Sequence, residues 1–137
     1  MMLSNIPWLL AASLLMATLL IYFPYIFVVV GRLQAGFDMA APRALFAKLP
    51  PFAQRAVWAH ENSFETFMPF AAAVLLTLFA GVNDATVAIA SLSFVVARFL
   101  YSICYIANFP LGRSLMFGVG TAATLTLFWQ SLTTLAT

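Results

Sequence analysis

The chain reads as an all-α integral membrane protein: a bundle of four transmembrane helices forming one domain over residues 1–137. Three observations carry this. Of the 137 residues, 64% are hydrophobic and only 7% charged, whereas a soluble domain carries roughly a quarter charged. Four apolar stretches each reach the about 20 residues that a helix needs to cross a bilayer. The polar residues inside them recur at helical spacing. The single cysteine, Cys104, lies in an apolar stretch and rules out a disulfide framework. A net charge of +2 is too small to point to nucleic acid as a partner.

The first span covers about 6–30. It has no charge, is too long for a signal-peptide core and has no basic segment ahead of it. Pro7 suits a first helical turn, Pro24 predicts a kink near the exit, and Gly31-Arg32 marks the boundary. The connection to about Gln54 carries Arg32, Arg43, Lys48 and one acid, Asp38, and is punctuated by Pro42, Pro50 and Pro51. Span two runs over about 52–80, and Gly81 to Asp84 makes a tight turn. Span three covers about 85–107 and contains Arg98; Asn108 to Pro110 breaks it. Span four covers about 111–135, with Arg113 and Ser114 in its first turn, and Gly118, Gly120, Ala122 and Ala123 suit close approach of a neighbouring backbone.

Four spans put the first and third connections on one side of the membrane, and both termini with the second connection on the other. Arg32, Arg43, Lys48, Arg55 and Arg113 all fall on the first side, so the positive-inside rule makes loop 31–55 cytoplasmic and both termini non-cytoplasmic. The expected location is thus a membrane that the chain crosses several times.

Ionisable side chains inside a span are costly and face a partner or a polar cavity. At about 100° per residue, Trp58, Glu61, Asn62 and Glu65 share one sector of span two and His60 points nearly the other way. On span three Arg98, Tyr101, Ser102 and Tyr105 form a stripe that Ser91 and Phe94 continue. On span four Arg113, Phe117, Gly120 and Thr124 align, with Ser114 beside Arg113. The economical packing turns these stripes toward one another together with Arg32. Two readings are open. In one, Glu65, with Glu61 as second choice, pairs with Arg98 to fix helix register, and Tyr101 and Tyr105 are interfacial aromatics. In the other, the arginines outnumber the acids because an anionic ligand completes the set, and the uncommitted hydrogen-bond groups of Asn62 and the tyrosines favour this one. His60 alone predicts a solvated interfacial histidine, since no second histidine or suitably spaced acid makes it a metal ligand. No serine lies in a nucleophile-elbow pattern.

These residues resemble the MAPEG superfamily, the membrane-associated proteins in eicosanoid and glutathione metabolism, and a bacterial-type member of it. The resemblance spans essentially the whole chain. It rests on Gly31-Arg32-Leu33 ending span one, Arg55-Ala56 followed by Ala59-His60-x-Asn62-x-x-Glu65 in span two, Arg98-x-x-Tyr101-x-x-x-Tyr105 in span three, and Arg113-Ser114 opening span four. It implies a homotrimer of four-helix subunits in a bacterial inner membrane with glutathione, as co-substrate, held between subunits near the cytoplasmic face. Asn62 and Glu65 match positions that hold the peptide backbone and amino group of glutathione. Arg32 and Tyr101 match further contacts, with Arg98 and Tyr105 in the same stripe. Arg113 matches the arginine that stabilises the thiolate, with Ser114 as its helper; a guanidinium beside a thiol favours the nucleophilic form. Two positions depart from the pattern: Trp58 stands where glutathione-using members commonly carry an arginine, and Glu61 adds negative charge beside Asn62; Arg55, one turn before Trp58, is the candidate to supply the missing charge.

The functional expectations are therefore two. One is a membrane-embedded transferase or peroxidase that joins glutathione or a related thiol to a lipophilic electrophile, or reduces a lipid hydroperoxide, with the bilayer delivering the apolar small molecule. The other is a non-catalytic scaffold or lipid-binding trimer with structural salt bridges, which Trp58 and Glu61 favour. A small multidrug exporter ranks last, because it requires a carboxylate in the first span, which is uncharged.

Overall fold

A computed structural model describes residues 5–137. Its four long helices are α1 (Ile6–Ala35), α2 (Pro51–Phe79), α3 (Ala85–Ile106) and α4 (Pro110–Leu135), with one 3-10 turn, Phe46–Lys48, in the α1–α2 connection. All four are long and apolar enough to cross a membrane. Even α3, at 22 residues, is about 33 Å long at 1.5 Å per residue and so matches a hydrocarbon core of roughly 30 Å. The chain is thus an all-helical, multi-pass membrane protein.

Local chemistry sets the helix ends. The Asn5 side chain accepts from Trp8 N at 3.2 Å and the Asp84 side chain from Thr86 N at 2.7 Å, each satisfying an orphan donor of a first turn. Pro51 and Pro110 open α2 and α4, where a missing N–H costs nothing. The two tight turns share one device. Gly81 (φ 67°) and Asn108 (φ 60°) both take the left-handed conformation. Each is followed by an apolar residue whose N–H returns to the helix: Val82 N to Thr77 O at 3.2 Å and Phe109 N to Cys104 O at 2.8 Å. The first boundary differs from the expected one. α1 does not stop at Gly31-Arg32 but continues through the good helix formers Leu33, Gln34 and Ala35 until Gly36, at φ 86°.

Short turns make sequential helices antiparallel. α1 packs on α2 and α3, and α4 packs on α3 and α2, so α1 and α4 lie across the diagonal of the bundle. The apolar core fills the half nearer the termini, where Phe70 and Phe94 stack at 3.7 Å among Leu10, Val74, Val87 and Leu127. In this half Thr77 and Ser131, both fully buried, share a 2.9 Å hydrogen bond between α2 and α4. At the other end α1 and α2 approach closely: a Cβ on Gly31 would overlap the Ala53 side chain. On α4 Gly120 faces Phe94 and Arg98, whereas the space beside Gly118 is open among the described residues. The apolar residues left on the outside, such as Leu19, Ile26, Phe79 and Leu125, suit a lipid surround.

Candidate functional site

The polar residues gather in the half of the bundle away from the termini, and Asn62 is their hub. Arg98 lies on the buried face of α3, only 4% exposed. Its Nη2 donates to Asn62 Oδ1 at 3.0 Å, and Asn62 Nδ2 donates in turn to Glu65 Oε2 at 3.1 Å. The direct Glu65–Arg98 pair is therefore replaced by an amide relay. Glu65 is exposed while Arg98 is deep, and an amide is less costly to desolvate than a carboxylate. The guanidinium stacks 3.9 Å from the centre of the Tyr101 ring. Its Nε and Nη1 are buried without a hydrogen-bond partner among the described residues.

One turn further along, Arg113 lies over Tyr105, with its Cζ 4.7 Å from the ring centre. Tyr105 meets Tyr101 edge-on at 5.6 Å, and Tyr101 meets Phe117 at 6.3 Å. Asn62, Tyr101, Tyr105, Arg113, Ser114 and Phe117 line a cavity of about 280 Å³. It shares Asn62 and Phe117 with a cleft of about 360 Å³ that passes Glu65 and Arg98 and runs along α4 to Phe128. From Phe117 to Phe128 the helix rises about 16 Å, and past Arg98 the lining is mostly apolar. Seven of the eight expected site residues are thus brought together on α2, α3 and α4: Asn62, Glu65, Arg98, Tyr101, Tyr105, Arg113 and Ser114.

Arg32 is the eighth, and the structure places it elsewhere. Its Nη1 donates to Tyr25 OH on its own helix at 3.0 Å, and it lines a separate cavity of about 670 Å³ between α1, the α1–α2 connection and α2. The diagonal placement of α1 and α4 keeps it from Arg113 within the chain. Glu61 lines that same cavity with Arg43 and His60, so the acidic sector of α2 is divided between two cavities.

Three contacts lay outside the sequence reading. His60 points away from Asn62, as its spacing predicts, but it is not a solvated histidine: its Nδ1 lies 2.6 Å from Ile21 O, and its ring packs against Tyr22, Tyr25 and Phe64. Trp58 lies between Phe46 and Tyr105, with centroids 5.8 and 6.4 Å away. Arg55 Nε donates to Ile106 O at 2.9 Å. The aromatics around Pro24 were an advance signal for the packing of His60, whereas nothing in the sequence singled out the carbonyls that His60 and Arg55 meet.

The sequence profile of the MAPEG family matches residues 9–133, which takes in all four helices. The chain belongs to the MAPEG family. No curated protein and no solved structure matches it. Within this MAPEG chain, α3 lines the two cavities through Phe94, Arg98, Tyr101 and Tyr105, while Ser91 and Ser102 on the same stripe turn their hydroxyls to Ala88 O and Arg98 O of their own helix. The polar side chains of α3 and α4 that line the two cavities include Arg98, the two tyrosines, Arg113 and Ser114.

Proposed function

We propose that this MAPEG protein binds glutathione or a related thiol in the Arg113 cavity and directs it at a lipophilic electrophile or lipid hydroperoxide lying in the adjoining cleft. The observation that carries the reading is the junction of the two spaces at Asn62 and Phe117, with Arg113 on the polar side and an apolar channel on the other. The cavities lie near the lower end of the roughly 300–1,000 Å³ typical of small-molecule sites, and the buried, unpartnered N–H groups of Arg98 fit an anionic peptide. When bound, the thiol would supply a sulfur nucleophile that loses its proton and forms a C–S bond as a leaving group departs from the electrophilic carbon, an epoxide opens or an activated double bond takes up the proton; alternatively two thiols would be oxidised to a disulfide as their two electrons and two protons cleave the O–O bond of a hydroperoxide to alcohol and water. Arg113 favours the thiolate by its permanent positive charge. Ser114 and Tyr105 flank it as hydrogen-bond donors, Asn62 and Glu65 orient the amide and ammonium groups of the peptide, and Arg98 and Tyr101 close the floor.

Copies of the chain assemble, in this reading, as a homotrimer in a bacterial inner membrane, with loop 31–55 cytoplasmic. The Arg32 cavity of one subunit then faces the Arg113 site of the next. The number three and the membrane follow from the family resemblance; the need for a second copy follows from Arg32 lying across the bundle from Arg113.

A scaffold or lipid-binding trimer is the second reading, favoured by the way Asn62 binds both Arg98 and Glu65. A thiolate-absorbance titration with glutathione separates the two. The parent is expected to show a thiolate band at neutral pH that Arg113→Ala abolishes. A band of equal strength in both proteins, or none in the parent, removes the enzyme reading.

A further inference from the structure

The last carbonyls of a helix have no partner within it, and α3 ends against the site. Its final four are all accounted for. Ala107 N reaches Ile103 O at 2.9 Å, Phe109 N reaches Cys104 O at 2.8 Å and Asn108 N reaches Tyr105 O at 3.1 Å, all local closures of the turn. Ile106 O alone is met from another helix, by Arg55 Nε of α2, a residue 51 positions away in sequence. A guanidinium there also complements the negative end of the α3 dipole.

This bond is the outermost of three contacts in register between antiparallel helices. Arg55 meets Ile106, Trp58 meets Tyr105, and Asn62 meets Arg98. Positions 55, 58 and 62 follow the i, i+3, i+7 spacing of one helix face. The corner that Arg55 holds is tightly filled, since a Cβ on Gly112 would overlap the Phe109 ring and crowd Cys104 Sγ. From that corner α4 departs, its first turn closed by Arg113 N to Phe109 O at 3.1 Å. Whatever shifts the corner shifts Arg113 relative to Asn62.

We infer that Arg55 is a positioning residue: its bond to Ile106 O fastens α2 to the α3–α4 corner and thereby sets where Arg113 stands over Tyr105 and across from Asn62. It is not a ligand contact that substitutes for the arginine absent at Trp58. The functional half of this statement rests on the proposed thiol site; the structural half does not.

The test compares the parent with Arg55→Ala and Arg55→Lys in a background where Trp8 and Trp129, both exposed on the outside of the bundle, are replaced by Phe, so that Trp58 is the only indole. Without ligand, Arg55→Ala is expected to red-shift Trp58 emission as the α2–α3 gap admits water, and Arg55→Lys, which keeps a cationic donor, to restore it. With glutathione, Arg55→Ala is expected to move the pH midpoint of the thiolate band upward and weaken binding by on the order of tenfold to a hundredfold, as a misplacement near 1 Å can do. The same loss is expected for glutathione with its glycine carboxylate amidated. Unchanged Trp58 emission in Arg55→Ala overturns the inference. So does a loss confined to the ligand that keeps the carboxylate, which would make Arg55 a ligand contact. If the parent binds no glutathione, the thiol reading falls, while the emission shift and its rescue by Lys still decide whether Arg55 fastens the corner. Should Arg55→Ala fail to reach the membrane, Arg55→Gln, a neutral donor of shorter reach, takes its place in each comparison.

Discussion

Asn62 Oδ1 accepts a 3.0 Å hydrogen bond from Arg98 Nη2, and through it the deepest charge in the bundle is tied to a neutral amide instead of a carboxylate. Glu65 stands one hydrogen bond further out, on the exposed side of Asn62. Of the two α2 groups near Arg98, the neutral amide takes the inner place and the carboxylate the outer one, the arrangement with the lower desolvation cost.

Asn62→Ala is expected to leave Arg98 without the one hydrogen bond its side chain makes. A hydrogen bond to a charged group contributes about 1.5–3 kcal/mol, so thermal unfolding in detergent should show a clear fall in melting temperature. An unshifted transition would mean that the stacking on Tyr101 suffices to hold the guanidinium.

Glu65→Gln retains an oxygen that can accept from Asn62, and the residue is exposed. Its stability cost should stay near the about 0.5 kcal/mol typical of surface changes, while glutathione affinity falls through loss of the charge facing the peptide's ammonium group. Calorimetric titration beside a melting curve reads both. An unstable variant with normal affinity would return Glu65 to a structural role.

Gly31→Ala introduces a methyl where Ala53 already sits. Overpacking of this kind costs about 1–3 kcal/mol. Because the clash is with a single neighbour, Ala53→Gly should recover most of the loss in a double-mutant cycle. Failure of the rescue would place the constraint in the α1 backbone instead.

If Arg32 serves the site of a neighbouring copy, co-expression of Arg32→Ala subunits with Arg113→Ala subunits should restore part of the glutathione binding that either variant alone loses. Crosslinking in mild detergent should give a trimer. Monomer as the sole product, or no complementation, would argue against a shared site.

Asp84 caps α3, and hydrogen bonds from the side chain and backbone of Thr86 hold its pKa below the ordinary carboxylate value. With the folded pKa below the unfolded value of about 3.9, the cap's stabilisation is fully present above that value and is lost as pH falls through the lower, folded one. Asp84→Ala should therefore melt earlier than the parent at neutral pH, and the two curves should converge in strong acid. A gap that persists at low pH would assign the effect to packing.

Four helices, their approximate ends, the clustering of basic residues at one end and the polar faces of α2 and α3 were all legible in the chain. Composition and the 3.6-residue period report directly on how each helix meets its surroundings. The period also sent His60 to the opposite side of α2 from Asn62, as observed. It does not reveal which neighbour a face meets. A sector about 100° wide on a helix with neighbours on both sides is shared between them, so Glu61 went to the cavity of Arg32 while Asn62, one residue on, went to Arg98. The separation of Arg32 from Arg113 came from α1 and α4 lying diagonally across the bundle, a matter of packing order and not of local pattern. The contacts least visible in advance were those of Arg55 and His60, and the reason is general. Both end on backbone carbonyls, at Ile106 and Ile21, and since every residue carries a carbonyl, only the folded arrangement of helices selects which one is met.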